Sequence, residues 1–215
     1  MKKIIISIIT FVMAVSASAQ FKMSVGPMIG GNINFYSGSD ISNLNTSVNG
    51  FGVAVGGQAD MQFTPVIGLL ATLTVYDGLS ASGTTTRQGT KTVLNFNNGF
   101  LMLNPSLKFS IPTTGFSFYA GPGIGIKLHS STEAYQVVDG LRQPLQEKTD
   151  AANVNPHITA QVGAMYDFDL GSGVKLAPHI ALNLGLNNAA EAVEVKMSNI
   201  QFGLTCKFAV VGSKK

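Results

Sequence analysis

Three histidines, one cysteine and a short run of glycines are the parts of this 215-residue sequence that invite a chemical reading. His157 and His179 fall on the same phase of two alternating segments, and Asp60 and Asp167 share that phase; His129 is the third histidine. A hydrolytic site needs a nucleophile, a base and an orienting acid within hydrogen-bond reach of one another. Spacing alone assembles no such set here. Gly121-x-Gly123-x-Gly125 has the outline of a phosphate-cradling loop, but that fingerprint needs a helix after it. Ile124, Ile126 and Leu128 instead continue a strand. Cys206 is the only cysteine, which excludes an intramolecular disulfide and a cysteine-based metal cluster. It shares an apolar phase and reads as a small hydrophobe. No catalytic, cofactor or metal site is expected.

The elements that carry these residues alternate with period two, the mark of a strand with one apolar face. Leu101, Leu103, Pro105, Leu107, Phe109 and Ile111 oppose Met102, Asn104, Ser106, Lys108 and Ser110. The same pattern runs over 116–128, 154–168, 174–186 and 200–208, and more weakly over 22–36, 50–62 and 66–77. About eight strands result. Several reach 11–15 residues, beyond the five or six usual in globular sheets and enough for a tilted strand to cross a bilayer, which takes about 9–11.

Connections sort by length as well. Phe63-Thr64-Pro65, Pro112-Thr113-Thr114 and Gly171-Ser172-Gly173 are tight turns, while 37–49, 78–98, 129–153 and 187–197 read as long polar loops. Strict alternation of short and long links is expected when turns face one side of a membrane and loops the other. Phe63, Phe109, Phe116, Phe118, Tyr166, Phe168 and Phe208 gather on the apolar phase beside the short turns, with Phe35 and Phe51 near the opposite rim, as an interfacial girdle requires. Pro27, Pro105, Pro122, Pro156 and Pro178 lie within these strands, where each loses a ladder donor. They are expected to mark bulges or strand ends.

Composition agrees. Charged residues are 12% of the chain, about half the roughly 25% of a soluble domain. Lys2 and Lys3, the apolar run Ile4–Val15 and Ala17-Ser18-Ala19 read as a secretory leader spanning 1–19, cut between Ala19 and Gln20. Its run is shorter than the roughly 20 residues of a spanning helix. Losing it leaves 12 basic residues against 11 acidic. No basic block remains that could track a phosphate backbone, so nucleic acid is excluded as a partner.

The expected fold is therefore all-β: an antiparallel up-and-down transmembrane barrel over 20–215, with apolar side chains facing lipid and polar ones filling the lumen. In that register Lys22, Asp60, Lys108, Lys127, His157, Asp167, Lys175, His179 and Lys207 point inward. Buried charges need partners, so a lumenal polar network that holds the barrel shut is expected. A narrow conduit for ions or small solutes is the functional counterpart.

The leader ending Ala17-Ser18-Ala19-Gln20, the stretch Phe118-Tyr119-Ala120-Gly121-Pro122-Gly123-Ile124-Gly125 and the final strand Ile200–Phe208 resemble the small outer-membrane β-barrels common in Bacteroidetes, often labelled porin family. They also resemble the wider class of OmpA/OmpX-like eight-stranded barrels. The resemblance implies a bacterial outer-membrane location, contact with outer-membrane lipid and insertion by the barrel-assembly machinery. One departure is the C-terminus: many such barrels end on an aromatic residue, whereas Phe208 is followed by Ala209–Lys215. Barrels of this size have side-chain-filled interiors, which places function in the outer loops. The expected role is structural or interactive in the envelope. Its alternatives are a narrow channel and a secretion-system accessory. Some small barrels modify lipid A with Ser, His and an acid; histidines that face the lumen do not reach lipid, so no enzyme is expected.

Overall fold

The computed structural model describes residues 21–39, 47–87, 90–138, 141–150, 154–190 and 194–211. Ala19 and Gln20 lie outside them. Among the described residues eleven strands form: β1 Lys22–Ser37, β2 Val48–Gln62, β3 Ile67–Gly78, β4 Ala81–Arg87, β5 Thr90–Ser110, β6 Phe116–Val138, β7 Leu141–Asp150, β8 His157–Tyr166, β9 Phe168–Gly171, β10 Val174–Gly185 and β11 Lys196–Val211. Every pairing is antiparallel, and the ladder runs β1-β2-β3-β5-β6-β8-β10-β11 before β11 returns to β1. Eight staves thus close on themselves, and closure removes the sheet edges that would otherwise need satisfying. Among the described residues, no helix is long and apolar enough to cross a membrane.

β9 is the lower end of the stave begun by β8. Leu176–Phe168 and His179–Met165 keep one register across the break between them. Pro178 falls in that gap, and its missing N–H is the reason for it. Pro27, Pro105 and Pro122 act alike. The β1–β11 ladder skips from Val25–Phe208 to Met28–Thr205 around Pro27, and the β5–β6 ladder skips from Leu103–Ile124 to Leu107–Ala120 around Pro105 and Pro122. Pro156 stands just before β8. Pro156 thus marks a strand end, as expected, while at the other four prolines the expected bulges are corrected to unpaired ladder positions without a register shift. The shifts occur elsewhere, as between Thr74 and Asp77 and between Gly99 and Phe100.

The expected long loops at 78–98 and 129–153 are also corrected. β4 pairs with the upper part of β5, and β7 with the upper part of β6, so two hairpins continue beyond the barrel as paired strands. β5 and β6 reach 21 and 23 residues, about twice what a crossing needs. Where no lipid touches the sheet its outer face is wetted, so Ser, Thr and Asn take the places that Leu and Ile hold lower down. The alternation that marks a half-buried strand disappears while the strand does not.

The three tight turns are present. Thr113, Gly115, Gly171, Ser172 and Gly173 take positive φ in the second and third, and Thr64 Oγ1 accepts from the Val66 and Ile67 amides in the first. Side chains sort as the alternation requires. Leu103 is 46% and Ile126 63% exposed on the outer face, while Asn104, Ser106, Lys108, Gln161, Asn183, Asn199, Thr205 and Lys207 are buried inside. A soluble barrel would be built the other way round. Aromatic rings cluster outside at the short-turn end, in the pairs Phe21–Phe63, Phe116–Phe118 and Tyr166–Phe168, with Phe109 and Phe208 exposed beside them.

Candidate functional site

Alternating strands deliver charged side chains from four staves to one level of the lumen, near the short turns. Asp60 comes from β2, Lys108 from β5, Lys207 from β11, and Asp167 from the break between β8 and β9. Asp60 Oδ2 accepts from Lys108 Nζ at 2.6 Å and from Lys207 Nζ at 2.7 Å. Lys207 also donates to Asp167 Oδ1 at 2.8 Å, and Asp167 lies 3.8 Å from Lys108 and 3.6 Å from Lys175. Lys207 is wholly buried, whereas Lys175 is half exposed at the mouth. Charge must be compensated at such a site, because an unpaired ion out of water is costly; here two carboxylates face three ammonium groups. The cluster ties one side of the barrel to the other.

Below it opens a vestibule of about 1010 Å³ lined by Lys22, Asp60, Lys108, Asp167, Asp169 and Lys175 together with the three turns. Above it the lumen narrows. Leu70, Tyr119, Met165 and Ala181 form a buried apolar layer. An amide chain follows: Ser106 Oγ donates to Gln161 Oε1 at 3.2 Å, Gln161 Nε2 to Asn183 Oδ1 at 2.9 Å and Asn183 Nδ2 to Asn199 Oδ1 at 2.8 Å. Thr205 donates to Gln58 across the same level at 2.9 Å. Higher still, Asn32 Nδ2 donates to the buried Asp77 carboxylate. A second apolar cluster of Tyr36, Val48, Leu79, Ala81, Phe100, Met102, Val195 and Met197 closes the far end. Within it Tyr36 donates to the Leu79 carbonyl at 2.5 Å and receives the Asn98 amide at 2.7 Å.

The nine inward residues expected from sequence divide into groups. Asp60, Lys108, Asp167, Lys175 and Lys207 meet in the ion cluster, and Lys22 stands at the vestibule. His157 packs against Phe100 at 5.4 Å between ring centres, and His179 lies over Gly203; both are buried, and neither joins the cluster. Lys127 pairs in register with Phe100, at the middle of β6 and away from the cluster. Among the described residues, no hydroxyl hydrogen-bonds to any of the three histidines; His129 meets the Asn97 side chain at 3.5 Å and stacks on the Tyr76 ring. No group of three or more His, Cys, Asp or Glu among them could hold a metal ion. Sequence reasoning missed the partners of the amide layer and Asp77. The inward phase was visible for Asn32, Asn34 and Gln58, but Asp77 follows the register shift after Thr74, which reverses the parity that would have placed it.

Outside the membrane-height staves, the hairpin of β6 and β7 carries its own contacts. Arg142 pairs with Glu133 and lies 3.8 Å over the Tyr135 ring, while Leu141 and Leu145 are exposed.

Residues 7–208 match the family model of the outer membrane protein beta-barrel domain. Solved structures similar to the chain include the attachment invasion locus protein Ail of Yersinia pestis in complex with the heparin analogue sucrose octasulfate, at 11% identity and TM-score 0.44, covering 87% of this chain and 99% of that one. Neisserial surface protein A is 12% identical, with TM-score 0.41 and coverage of 88% and 98%. The outer membrane protein OprG of Pseudomonas aeruginosa is 8% identical, with TM-score 0.44 and coverage of 89% and 95%. No curated protein matches the sequence.

Proposed function

The chain belongs to the outer membrane protein beta-barrel domain family, whose place is the bacterial outer membrane, and from that premise we propose a non-enzymatic envelope protein that acts through its extracellular hairpins. One observation carries the reading. The lumen is crossed by an ion cluster and two apolar layers, so the surfaces left for recognition are the β4–β5 and β6–β7 hairpins that rise beyond the lipid-facing band. Binding groups on a rigid barrel gather in such segments. We assign residues 1–19 as the cleaved leader, and on the Phe118–Gly125 stretch and the final strand we place the barrel with the small ones common in Bacteroidetes. Insertion by the barrel-assembly machinery belongs to the same reading.

The test replaces each hairpin by a tight turn and compares cells carrying the shortened barrel with cells lacking the protein. The shortened barrel should still migrate in a heat-modifiable way, yet reproduce the envelope phenotype of the deletion. Full complementation by the shortened form would remove the hairpins from the function.

A narrow channel is the second reading, favoured by the charged vestibule alone. Purified protein in planar bilayers should give no reproducible current; a stable conductance abolished by plugging the vestibule would reverse the order. Lipid A from expressing cells should keep its mass.

A further inference from the structure

On one side of the barrel the wall does not stop where the acyl chains stop. β1, β8, β10 and β11 reach their outer ends at Ser37, His157, Gly185 and Lys196, whereas β5 and β6 run on, flanked by β4 and β7. At about 3.3 Å per residue, the part of β6 from His129 to Val138 adds roughly 30 Å along the strand. The outer face of this extension continues the lipid-facing band. Val75 and Leu128, each 51% exposed, immediately precede Tyr76 and His129 at its foot. A lipid packed against Val75 and Leu128 therefore sets its headgroup against protein, while one beside the short staves sets it in water.

Alternation fixes which side chains face outward. Asn98 points inward, donating to Tyr36 at 2.7 Å and accepting from Ser130 at 2.5 Å, so Asn97 and His129 point out. There the rings of Tyr76 and His129 stack at 5.8 Å between centres and 14° between planes. They meet over Gly99, where a Cβ would lie 2.3 Å from His129 Cε1 and 3.0 Å from the Tyr76 ring. The stack depends on that position having no side chain. Beside it Asn97 Oδ1 accepts from Ser80 Oγ at 2.9 Å and lies 3.5 Å from His129 Nε2. One level up, Asn95 Nδ2 donates to Glu133 Oε2 at 3.5 Å. Glu133 also pairs with Arg142, whose guanidinium covers the Tyr135 ring at 3.8 Å.

Chemistry selects the occupant. An aromatic ring presents a negative face, which attracts the weakly positive C–H groups of a sugar ring. An amide offers donor and acceptor side by side, a carboxylate accepts and a guanidinium donates in a planar fork, and neighbouring sugar hydroxyls match all three. Glu133 and Arg142 offset each other, and among the described residues no Lys or Arg shares the outer face at the level of the stack, so a phosphate finds no counter-ion there. We propose that this face, from the Tyr76–His129 stack up to Tyr135 and Arg142, binds the sugar headgroup of the glycolipid in the outer leaflet of the membrane. The assignment rests on the hairpin reading above and deepens it by naming what one face of the hairpins meets.

The test places the folded barrel in phospholipid nanodiscs doped with lipopolysaccharide that carries its core sugars, and in a matched set doped with phosphatidylglycerol. Nuclear magnetic resonance signals of the Asn95 and Asn97 side-chain amides and the His129 ring should shift saturably with the first and not with the second. Tyr76→Ala combined with His129→Ala should raise the half-saturating lipopolysaccharide fraction about tenfold, with heat-modifiable migration unchanged. Asn95→Ala combined with Asn97→Ala, read at His129, serves should the first pair not fold. Equal shifts with phosphatidylglycerol would make the contact one of charge and overturn the assignment. So would saturation as in wild type by either double variant, or shifts confined to Phe35, Phe51 and Lys196 at the rim of the short staves. Equal saturation by soluble core oligosaccharide would make the ligand a free glycan and overturn it too. The readout is contact with lipid, not the envelope phenotype, so this assignment and the hairpin function can fail separately.

Discussion

Lys207 and Asp60 lie 147 residues apart in sequence and 2.7 Å apart across the lumen. Among the described residues, Lys207 alone contacts both carboxylates of the cluster within 3 Å. Replacing it by Met keeps most of the side-chain volume and removes the charge. Asp60 then keeps Lys108 at 2.6 Å, but Asp167 is left with contacts of 3.6 and 3.8 Å. Breaking a buried pair by deleting one partner costs about 3–5 kcal/mol. Lys207→Met should lower the unfolding free energy in urea, measured in lipid vesicles, by about that amount. Adding Asp167→Asn should recover part of the loss. A single variant as stable as wild type would mean the cluster does not lock the barrel.

The outer face gives a prediction that separates this barrel from a water-soluble one. Ile124 is 51% exposed and pairs with Leu103 on one side and Ile158 on the other. In lipid, Ile124→Arg puts a charge near the middle of the apolar band, at a cost of about 2–4 kcal/mol. In water the same surface change would cost within about 0.5 kcal/mol. Vesicle unfolding measurements decide between these values, and a negligible effect would contradict the outward orientation of the apolar face.

Phe100 fills the far plug, fully buried against Tyr36, Leu79, Met102 and Met197. Phe100→Ala should cost about 3–5 kcal/mol, as large cavities in packed cores do. It should still carry no current in planar bilayers, because the Leu70–Tyr119–Met165 layer and the ion cluster stay in place. Current through this variant would show that the far plug alone closes the lumen.

The staves were legible because lipid on one side and packed side chains on the other impose strict alternation, and every strand between Lys22 and Phe208 that touches lipid shows it. The upper halves of β5 and β6 were not, since Thr92, Asn95 and Thr132 stand where Leu and Ile stand lower down and nothing in the residue pattern distinguishes a paired strand from a loop. The inward set of charges was legible by parity. Which of them meet was not: Lys108 and Lys207 reach Asp60 from different staves through the stagger of a closed barrel, and Lys127, on the same parity as Lys108, lies at the other end of the lumen. Pro105 and Pro122 were visible as lost donors, but their alignment with each other depends on the β5–β6 register, which no local pattern contains.

That alignment yields the last prediction. Because Pro105 and Pro122 face one another, the β5–β6 ladder lacks its bonds between Leu103–Ile124 and Leu107–Ala120. Pro122→Ala supplies one N–H opposite the Pro105 carbonyl. The new hydrogen bond contributes about 1 kcal/mol net. Losing the proline raises unfolded-chain entropy, which costs about 0.4–1 kcal/mol. The two nearly cancel, so overall stability should change little while local opening changes much. Hydrogen exchange in nanodiscs should find the amide that this variant gains as protected as that of Ile124. Gly121→Ala at the neighbouring position should do the opposite, since its Cβ would fall 2.0 Å from the Pro105 oxygen, a backbone atom that cannot simply rotate away. Overpacking of that kind costs about 1–3 kcal/mol. If the amide introduced by Pro122→Ala exchanges at the rate of an unfolded peptide, the seam stays open for a reason other than its prolines.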